Sequence, residues 1–348
     1  MSFKVNVQPS GKQFDVEPGE TILAAALRQD VILPYGCRNG ACGSCKAQVL
    51  EGVIEQGPHS SGAMKPEEAA RGQALLCCAM AASDLTVQCR VIAAVGDIPI
   101  RKMPCRIASI TEAAPDVRIL RLQLPANERL QYLAGQYVEL LLRDGSRRSY
   151  SMASAPHAAE QIELHIRHMP GGKFTDTVFG ATQPALKERD ILRFEGPMGT
   201  FFLREDSDAP IVFVASGTGF APIKAIVEHA IHKGIARPMT LYWGGRRPRD
   251  LYLNALCEQW AVELPGFRYV PVVSDALPED NWSGRTGFVH RAVMADFPSL
   301  AGHQVYACGA PVVVDSARRD LVGECGLAED QFFADSFTSE ADLAAQTA

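Results

Sequence analysis

The chain has 348 residues, 47% of them hydrophobic, with 29 Gly, 22 Pro and a formal net charge of −6. That length predicts two to three domains, and the Gly and Pro content predicts many turns. No long run of Lys or Arg is present, and no apolar stretch approaches the ~18 residues that cross a bilayer, so neither nucleic acid nor membrane is expected as a partner. Residues 1–11 alternate polar and apolar types without the apolar centre of a secretory leader, which makes a cytoplasmic location the default. Ten cysteines in such a chain do not read as a disulfide framework.

Residues 3–8 and 12–16 predict two short strands around the turn Pro9-Ser10-Gly11. A helix over 20–27, a Gly-rich loop over 36–45 and strands at 46–50 and 85–92 complete a compact α+β unit. Residues 96–104 mix charge, Pro and Gly and read as a linker. From 105 to about 204 short alternating runs at 117–124, 136–143, 161–167 and 191–194 predict a small antiparallel barrel. Asp206-Ser207-Asp208 marks the next boundary. Beyond it the continuous apolar run Ile211-Val212-Phe213-Val214-Ala215 predicts a buried parallel strand. A helix at 221–233, a strand at 239–243, a helix at 250–261 and strands at 268–273 and 304–308 follow. Strand–helix alternation of this kind predicts a doubly wound sheet.

Cys37, Cys42 and Cys45 stand in C-x4-C-x2-C, and Cys77 follows with Cys78 beside it. This is plant-type [2Fe–2S] spacing. Wrapping a small cluster needs a tight backbone, which Gly36, Gly40, Ala41, Gly43 and Ser44 permit, and their N–H groups can face the sulfurs. Core thiols are the ordinary alternative. Zinc is the other rival, although its sites usually use two cysteine pairs and only one such knuckle is present. Residues 36–45 and 75–84 resemble plant-type ferredoxins. In that family the fourth ligand stands six residues before a Ser-Asp pair, here Ser83-Asp84, which implies Cys77 as ligand and Cys78 as a packing thiol.

Arg148-Ser149-Tyr150-Ser151 is similar to the R-x-Y-S signature of the ferredoxin–NADP reductase family. The resemblance implies a bound flavin. Arg148 would hold its diphosphate, Tyr150 would offer a flat face to the isoalloxazine, and the Ser151 hydroxyl would bond N5, where hydride arrives. Gly171-Gly172-Lys173-Phe174-Thr175 stands at the family's interval for the flavin pyrophosphate. His165, Ile166 and Arg167 lie on the strand where the family contacts the flavin, with a surface or core role as the alternative for each. Relatives with an N-terminal ferredoxin use FAD, so FAD is implied rather than FMN.

Ser216-Gly217-Thr218-Gly219-Phe220-Ala221-Pro222 lies between an apolar strand and a helix, where a pyrophosphate can meet a helix N-terminus. A lone G-x-G is weak evidence, but the form GTGxAP, with Gly217, Thr218, Gly219 and Pro222, is the one the family carries. Cys308-Gly309 resembles the family's C-G-x-P turn beneath the nicotinamide, so Cys308 joins Ser151 as a candidate at the hydride-transfer point. Relatives that use NADPH tend to have Ser-Arg where this chain has Ser274-Asp275, and a carboxylate there favours NADH. Arg246, Arg247 and Arg249 cut the other way and keep NADPH as the alternative. Similar reductases cover the flavin with a C-terminal residue, here Phe337 or a neighbour, unless this tail simply packs on a sheet edge. Cys89, Cys105, Cys257 and Cys325 read as packing residues.

The resemblance implies an α+β multidomain protein. A β-grasp ferredoxin domain would span 1–94 and a linker 95–104. An antiparallel β-barrel FAD domain would span 105–205 and a doubly wound α/β NAD domain 206–348. Flavin handles both hydride and single electrons, so the implied order is NADH, FAD, [2Fe–2S], then a protein electron acceptor. Oxygenase reductases for benzoate, phenol and methane share this layout. Strings at 133–137, 147–151, 218–222, 286–290 and 333–335 look closer to the CDP-6-deoxy-3,4-glucoseen reductase group, whose acceptor is a sugar dehydratase. An oxygenase component is the first expectation and a dehydratase the second. A redox sensor and a free-standing quinone reductase are the rivals from other classes.

Overall fold

In Phe3–Gln8 (β1) the side chains of Val5 and Val7 turn inward while Lys4 and Gln8 face water, and Lys12–Val16 (β2) buries Phe14 and Val16 in the same rhythm. The computed structural model describes residues 2–92, 98–158 and 160–338. The chain divides into two units. One comprises Met1–Pro99, Gly199–Phe201 and Ala334–Ala348, and the other Ile100–Met198 and Phe202–Phe333.

In the first unit, β2 pairs antiparallel with β1, and β1 runs parallel to Leu85–Gln88 (β7) with Val5 opposite Leu85. Between them come the helix Ile22–Arg28 (α1), strands Lys46–Glu51 (β3) and Ile54–Gln56 (β4), the short helix Pro66–Ala70 (α2), and strands Gln73–Leu75 (β5) and Ala79–Ala81 (β6). The main sheet has the order β2-β1-β7-β3-β5, and β4 and β6 form a separate ribbon. Thr21 caps α1, its hydroxyl accepting from the Ala24 N–H at 3.3 Å. Ile22, Leu23, Ala25 and Ala26 are the buried face of α1. A small sheet crossed by a helix is the β-grasp arrangement expected for a ferredoxin.

The second unit has two layers of construction. Arg101–Ala114 (β8), Val117–Gln123 (β9), Tyr137–Leu141 (β10), Arg147–Ser151 (β11), Gln161–Arg167 (β12) and Ile191–Met198 (β13) form an antiparallel sheet in the order β11-β10-β13-β8-β9-β12, with the helix Thr175–Phe179 (α3) between β12 and β13. A bridge between Met152 and Leu164 joins the two ends and closes the barrel. Leu120, Val138, Met152, Ile166 and Phe194 are among the side chains that fill it. The first four residues of β8, Arg101 to Pro104, fall in the stretch read from sequence as linker. Met103, Cys105 and Ile107 point inward there in strict alternation.

The rest of the unit alternates strand and helix: Ile211–Ser216 (β14), Phe220–Lys233 (α4), Met239–Gly245 (β15), Asn254–Glu263 (α5), Phe267–Val273 (β16), Arg285–Thr286 (β17), Val289–Asp296 (α6), Gln304–Gly309 (β18), Pro311–Gly323 (α7) and the first two residues of Phe332–Ser336 (β19), whose last three fall in the first unit. The sheet order is β17-β16-β15-β14-β18-β19, and β14 is parallel to both β15 and β18. Chain direction across the sheet reverses at β14. The crevice beyond the carboxyl ends of β14 and β18 is therefore the topological switch point, where such sheets bind ligands. Among the described residues no helix is long and apolar enough to cross a membrane.

Candidate functional site

The loop over residues 36–45 has no helix or strand, and its shape depends on glycine. Gly40 has φ +76°, and a Cβ there would lie 2.8 Å from Cys78 Sγ and 2.9 Å from His59 Cβ. The turn brings four thiols together as two pairs. Cys37 interacts most strongly with Cys42, and Cys45 with Cys77. Backbone donors converge on them: the Ala41 and Cys42 N–H groups each lie 3.3 Å from Cys37 Sγ. The S–H of Cys37, and more weakly the Ser44 hydroxyl, lowers the Cys42 pKa against the opposing effect of burial. The S–H groups of Cys45 and Cys78 lower that of Cys77, while the neighbouring sulfur and burial push Cys37 and Cys45 up. Cys78 Sγ stands 3.5 Å from Cys77 Sγ and is outside both pairs. None of the ten cysteines is in a disulfide. Among the described residues no group of three or more His, Cys, Asp or Glu is arranged around a single metal ion. Two thiol pairs with N–H groups aimed at sulfur do fit a two-iron group, in which each iron takes two thiolates.

Two further pieces of chain belong to this unit. Thr200 and Tyr35 exchange bonds, the Tyr35 N–H to Thr200 Oγ1 at 2.8 Å and the Thr200 N–H to Tyr35 O at 2.9 Å. The Ser44 hydroxyl donates to Ala334 O at 2.7 Å, and Asn39 Nδ2 to Thr338 Oγ1 at 2.5 Å. Ser336, at the end of β19, is buried, and its Oγ has no hydrogen-bond partner among the described residues. Phe337 follows it, half-buried.

On the barrel, β11 lies antiparallel to β10 with Arg148 opposite Leu140, Tyr150 opposite Val138 and Ser151 opposite Tyr137. Ser151 is 5% exposed and its Oγ has no hydrogen-bond partner among the described residues. Leaving a hydroxyl buried and unbonded costs about 1–3 kcal/mol, so this position suits a ligand acceptor or donor. The Tyr150 ring is half-buried beside Phe174, with centroids 5.6 Å apart. Ser149 is exposed. The turn at 171–175 is only partly open: the Gly171 N–H donates to Asp176 and the Gly172 N–H to Met169 O. Lys173 is paired with Asp144 at 2.8 Å, and Thr175 Oγ1 is held by Met169 O at 2.9 Å.

The three residues of β12 go different ways. Ile166 is in the barrel core. The His165 ring is buried, with Nε2 3.0 Å from Glu163 and Nδ1 2.8 Å from the Tyr252 hydroxyl, so its side chain faces protein groups. Burial holds its pKa down despite the Glu163 carboxylate. The Arg167 guanidinium is bound to Asp116 at 2.8 Å and reaches the nucleotide turn, where a Cβ on Gly217 would lie 2.6 Å from Nη1.

Gly217–Gly219 form one 3-10 turn between β14 and α4. A Cβ at Gly219 would sit 2.1 Å from Cys308 O, and one at Gly309 2.7 Å from Ser216 O. Only glycines allow these two turns to interlock at the switch point. Cys308 is buried within this interlock, and Pro222 within α4. At the next strand ends, the Ser274 N–H donates to Gly245 O at 3.0 Å and the Asp275 N–H to Arg246 O at 2.9 Å, which puts Arg246 beside the Ser274-Asp275 pair. Arg247, which counted toward NADPH, is neutralised by Asp280 at 2.6 and 2.8 Å.

Sequence reading missed the buried pair Glu163 and Lys224 and their neighbour Tyr252. Lys224 Nζ is 3.2 Å from Glu163 Oε1 and 2.8 Å from Glu228. Burial raises the Glu163 pKa, but His165 and Lys224 outweigh it and hold the carboxyl well below its ordinary range. The available signal was a lysine set among the buried Ile223, Ala225, Ile226 and Val227 of α4.

A [2Fe–2S] loop, a barrel strand with a partnerless serine and a glycine interlock at a sheet switch point define an iron–sulfur flavoprotein oxidoreductase. Family models agree: a 2Fe-2S iron-sulfur cluster binding domain matches residues 5–82, an oxidoreductase FAD-binding domain 104–203 and an oxidoreductase NAD-binding domain 213–319. The chain is 42% identical over 337 residues to the CDP-6-deoxy-L-threo-D-glycero-4-hexulose-3-dehydrase reductase of Yersinia pseudotuberculosis, covering 97% of this chain and 99% of that one. It is 38% identical over 341 residues to terephthalate 1,2-dioxygenase, reductase component 1, of Comamonas sp, covering 97% and 98%. The crystal structure of the Amycolatopsis cytochrome P450 reductase GcoB superposes with a TM-score of 0.74 at 35% identity, covering 97% and 99%. The chain belongs to the ferredoxin–NADP reductase superfamily, in the branch with an N-terminal plant-type ferredoxin domain. It is an NAD(P)H-dependent electron-transfer reductase with [2Fe–2S], FAD and NADH as cofactors.

Proposed function

We propose that this reductase delivers electrons from NADH to an oxygenase component, with its domains at 1–94, 105–205 and 206–348 holding the cluster, the FAD and the nucleotide. In this reading Cys37, Cys42, Cys45 and Cys77 are the cluster ligands. Arg148 and Tyr150 hold and orient the flavin, and Ser151 donates to or accepts from its reactive edge. Gly217–Gly219 and Cys308-Gly309 seat the nucleotide against that edge, and Ser274 and Asp275 take its ribose. FAD, when bound, takes a hydride and gives up single electrons, which NADH and an iron–sulfur cluster cannot exchange directly. The observation that carries the reading is the buried Ser151 Oγ at the end of β11, which has no partner among the described residues. Arg247, already spent on Asp280, supports NADH over NADPH. A cytoplasmic setting belongs to the same reading.

The terephthalate and phenol relatives are named as oxygenase reductases, which supports an oxygenase acceptor. The 42% identity to a hexulose-dehydrase reductase supports a sugar dehydratase as the second reading. The chemistry on the final substrate belongs to the partner, so the test needs both partners. Purified holoprotein and NADH should sustain turnover of a purified iron oxygenase component. Turnover of a sugar-nucleotide dehydratase with none of the oxygenase would select the second reading instead.

A further inference from the structure

Where β12 faces α4, the second unit contains a buried ionic knot. Lys224 has three N–H donors, and each is used: Glu163 Oε1 at 3.2 Å, Glu228 Oε1 at 2.8 Å and the Ala153 carbonyl at 3.2 Å. Glu163 also accepts from His165 Nε2 at 3.0 Å. With that nitrogen donating, Nδ1 of the neutral ring accepts from the Tyr252 hydroxyl at 2.8 Å. Glu163, His165 and Lys224 are each under a tenth exposed. The Tyr252 ring meets Trp243 edge-on, with centroids 5.1 Å apart. Trp243 stacks on Phe220 at 4.0 Å, and its Nε1–H bonds the Gly217 carbonyl at 3.0 Å. An unbroken line of contacts thus runs from Ala153, two residues past Ser151, to the first glycine of the nucleotide turn.

Stability alone does not require this arrangement. Taking charges out of water is costly, and well-packed apolar side chains of similar volume usually serve a core at least as well. What a fully bonded ammonium adds is one fixed geometry, since its three donors have three partners on two structural layers. Ala153 and Glu163 belong to the barrel, and Glu228 and Lys224 to the helix that opens at the glycine turn.

We propose that Lys224 is a positioning residue for hydride transfer: its three-way bond locks the Gly217–Gly219 turn against the strand that carries Ser151. The proposal rests on the roles given above to that turn and that serine. Misplacement of reacting groups by about 1 Å can cost on the order of a hundredfold in rate. Lys224 touches neither nucleotide nor flavin in this account, so its loss should leave cofactor content intact.

The test uses holoprotein carrying Lys224→Met, Lys224→Arg or Glu163→Gln, mixed anaerobically with NADH and with 4-deuterated NADH. For Lys224→Met the flavin-reduction rate at saturating NADH should fall by about tenfold to a hundredfold. The NADH dissociation constant should stay within about twofold, and the primary isotope effect should be at least as large as in the unmodified protein. Amide hydrogen exchange over 217–220, measured without NADH, should become faster, and the cluster's spectrum should not change. Lys224→Arg should recover part of the rate. Should Lys224→Met fail to hold flavin, Glu163→Gln should show the same split between rate and binding. A flavin-replete Lys224→Met or Glu163→Gln protein with an unchanged saturating rate and unchanged exchange at 217–220 would overturn the proposal. Absence of flavin reduction by NADH in the unmodified protein would instead overturn the hydride-transfer reading on which it stands.

Discussion

Ser151 shows how a single residue links sequence to chemistry here. Its strand leaves Oγ buried, without a partner among the described residues. Replacing it with Ala removes an unsatisfied hydroxyl and should not destabilise the flavin-free fold. On the proposed role of Ser151 at the flavin's reactive edge, the same change should slow flavin reduction by NADH about tenfold to a hundredfold, through loss of one oriented polar contact. Stopped-flow absorbance checks both the rate and the retained cluster, and an unchanged rate would remove Ser151 from the site. The candidate residues came from contiguous strings: Arg148 to Ser151, Gly217 to Gly219, Cys37 to Cys45. Lys224 and Glu163 were not legible, because an ion pair across 61 positions leaves no local pattern. Nor did the sequence reveal that His165 turns its ring to Tyr252 and Glu163, or that Arg167 lies over Gly217, since side-chain direction at a strand end depends on what packs above it.

At the scale of elements, hydrophobic period carried most of the reading. Strands Phe3–Gln8, Lys12–Val16, Gln161–Arg167 and Ile211–Ser216 lie where their alternating or continuous apolar runs predict. The strand Arg101–Ala114 was harder, because Pro104 and its flanking charges mask an alternation that Met103, Cys105 and Ile107 keep. Helices Val289–Asp296 and Pro311–Gly323 were passed over, although Pro311 is a helix-start signal. Phe332–Ser336 forms an edge strand, and Phe337 lies just beyond its end.

The end of Val289–Asp296 also yields a prediction. Asp296 binds Arg285 and Arg268 at 2.6 Å each and accepts from Tyr242 at 2.6 Å, tying the helix to three strands. The Arg285 bond, opposed by burial, brings its carboxyl down to about 2. A carboxylate held lower in the folded state than its unfolded value of about 3.9 stabilises above that value, and the gain disappears as pH falls toward 2. Asp296→Asn should therefore lower the melting temperature at neutral pH and lose less stability between about pH 4 and pH 2. Thermal unfolding across that range measures it. Equal acid sensitivity in both proteins would show that Asp296 does not hold the helix.

For the whole molecule the decisive feature is that three redox-active sites share one polypeptide in the order iron–sulfur, flavin, nucleotide. Charge does little to choose a partner. Residues 1–95 carry nine acidic and eight basic side chains, so long-range steering by the net charge of that segment is weak. The acceptor was not legible in the sequence because no local motif encodes it, whereas the cofactors were, through short motifs in three successive domains. The most direct measurement is an anaerobic NADH titration of the purified chain, followed by visible absorbance and electron paramagnetic resonance, with and without FAD. With FAD bound, NADH should bleach the flavin and bring up the signal of a one-electron-reduced [2Fe–2S] cluster. After FAD is removed, NADH should produce no such signal, although dithionite still does. Reduction of the cluster by NADH in flavin-free protein, or purified chain without iron and sulfide, would contradict the account.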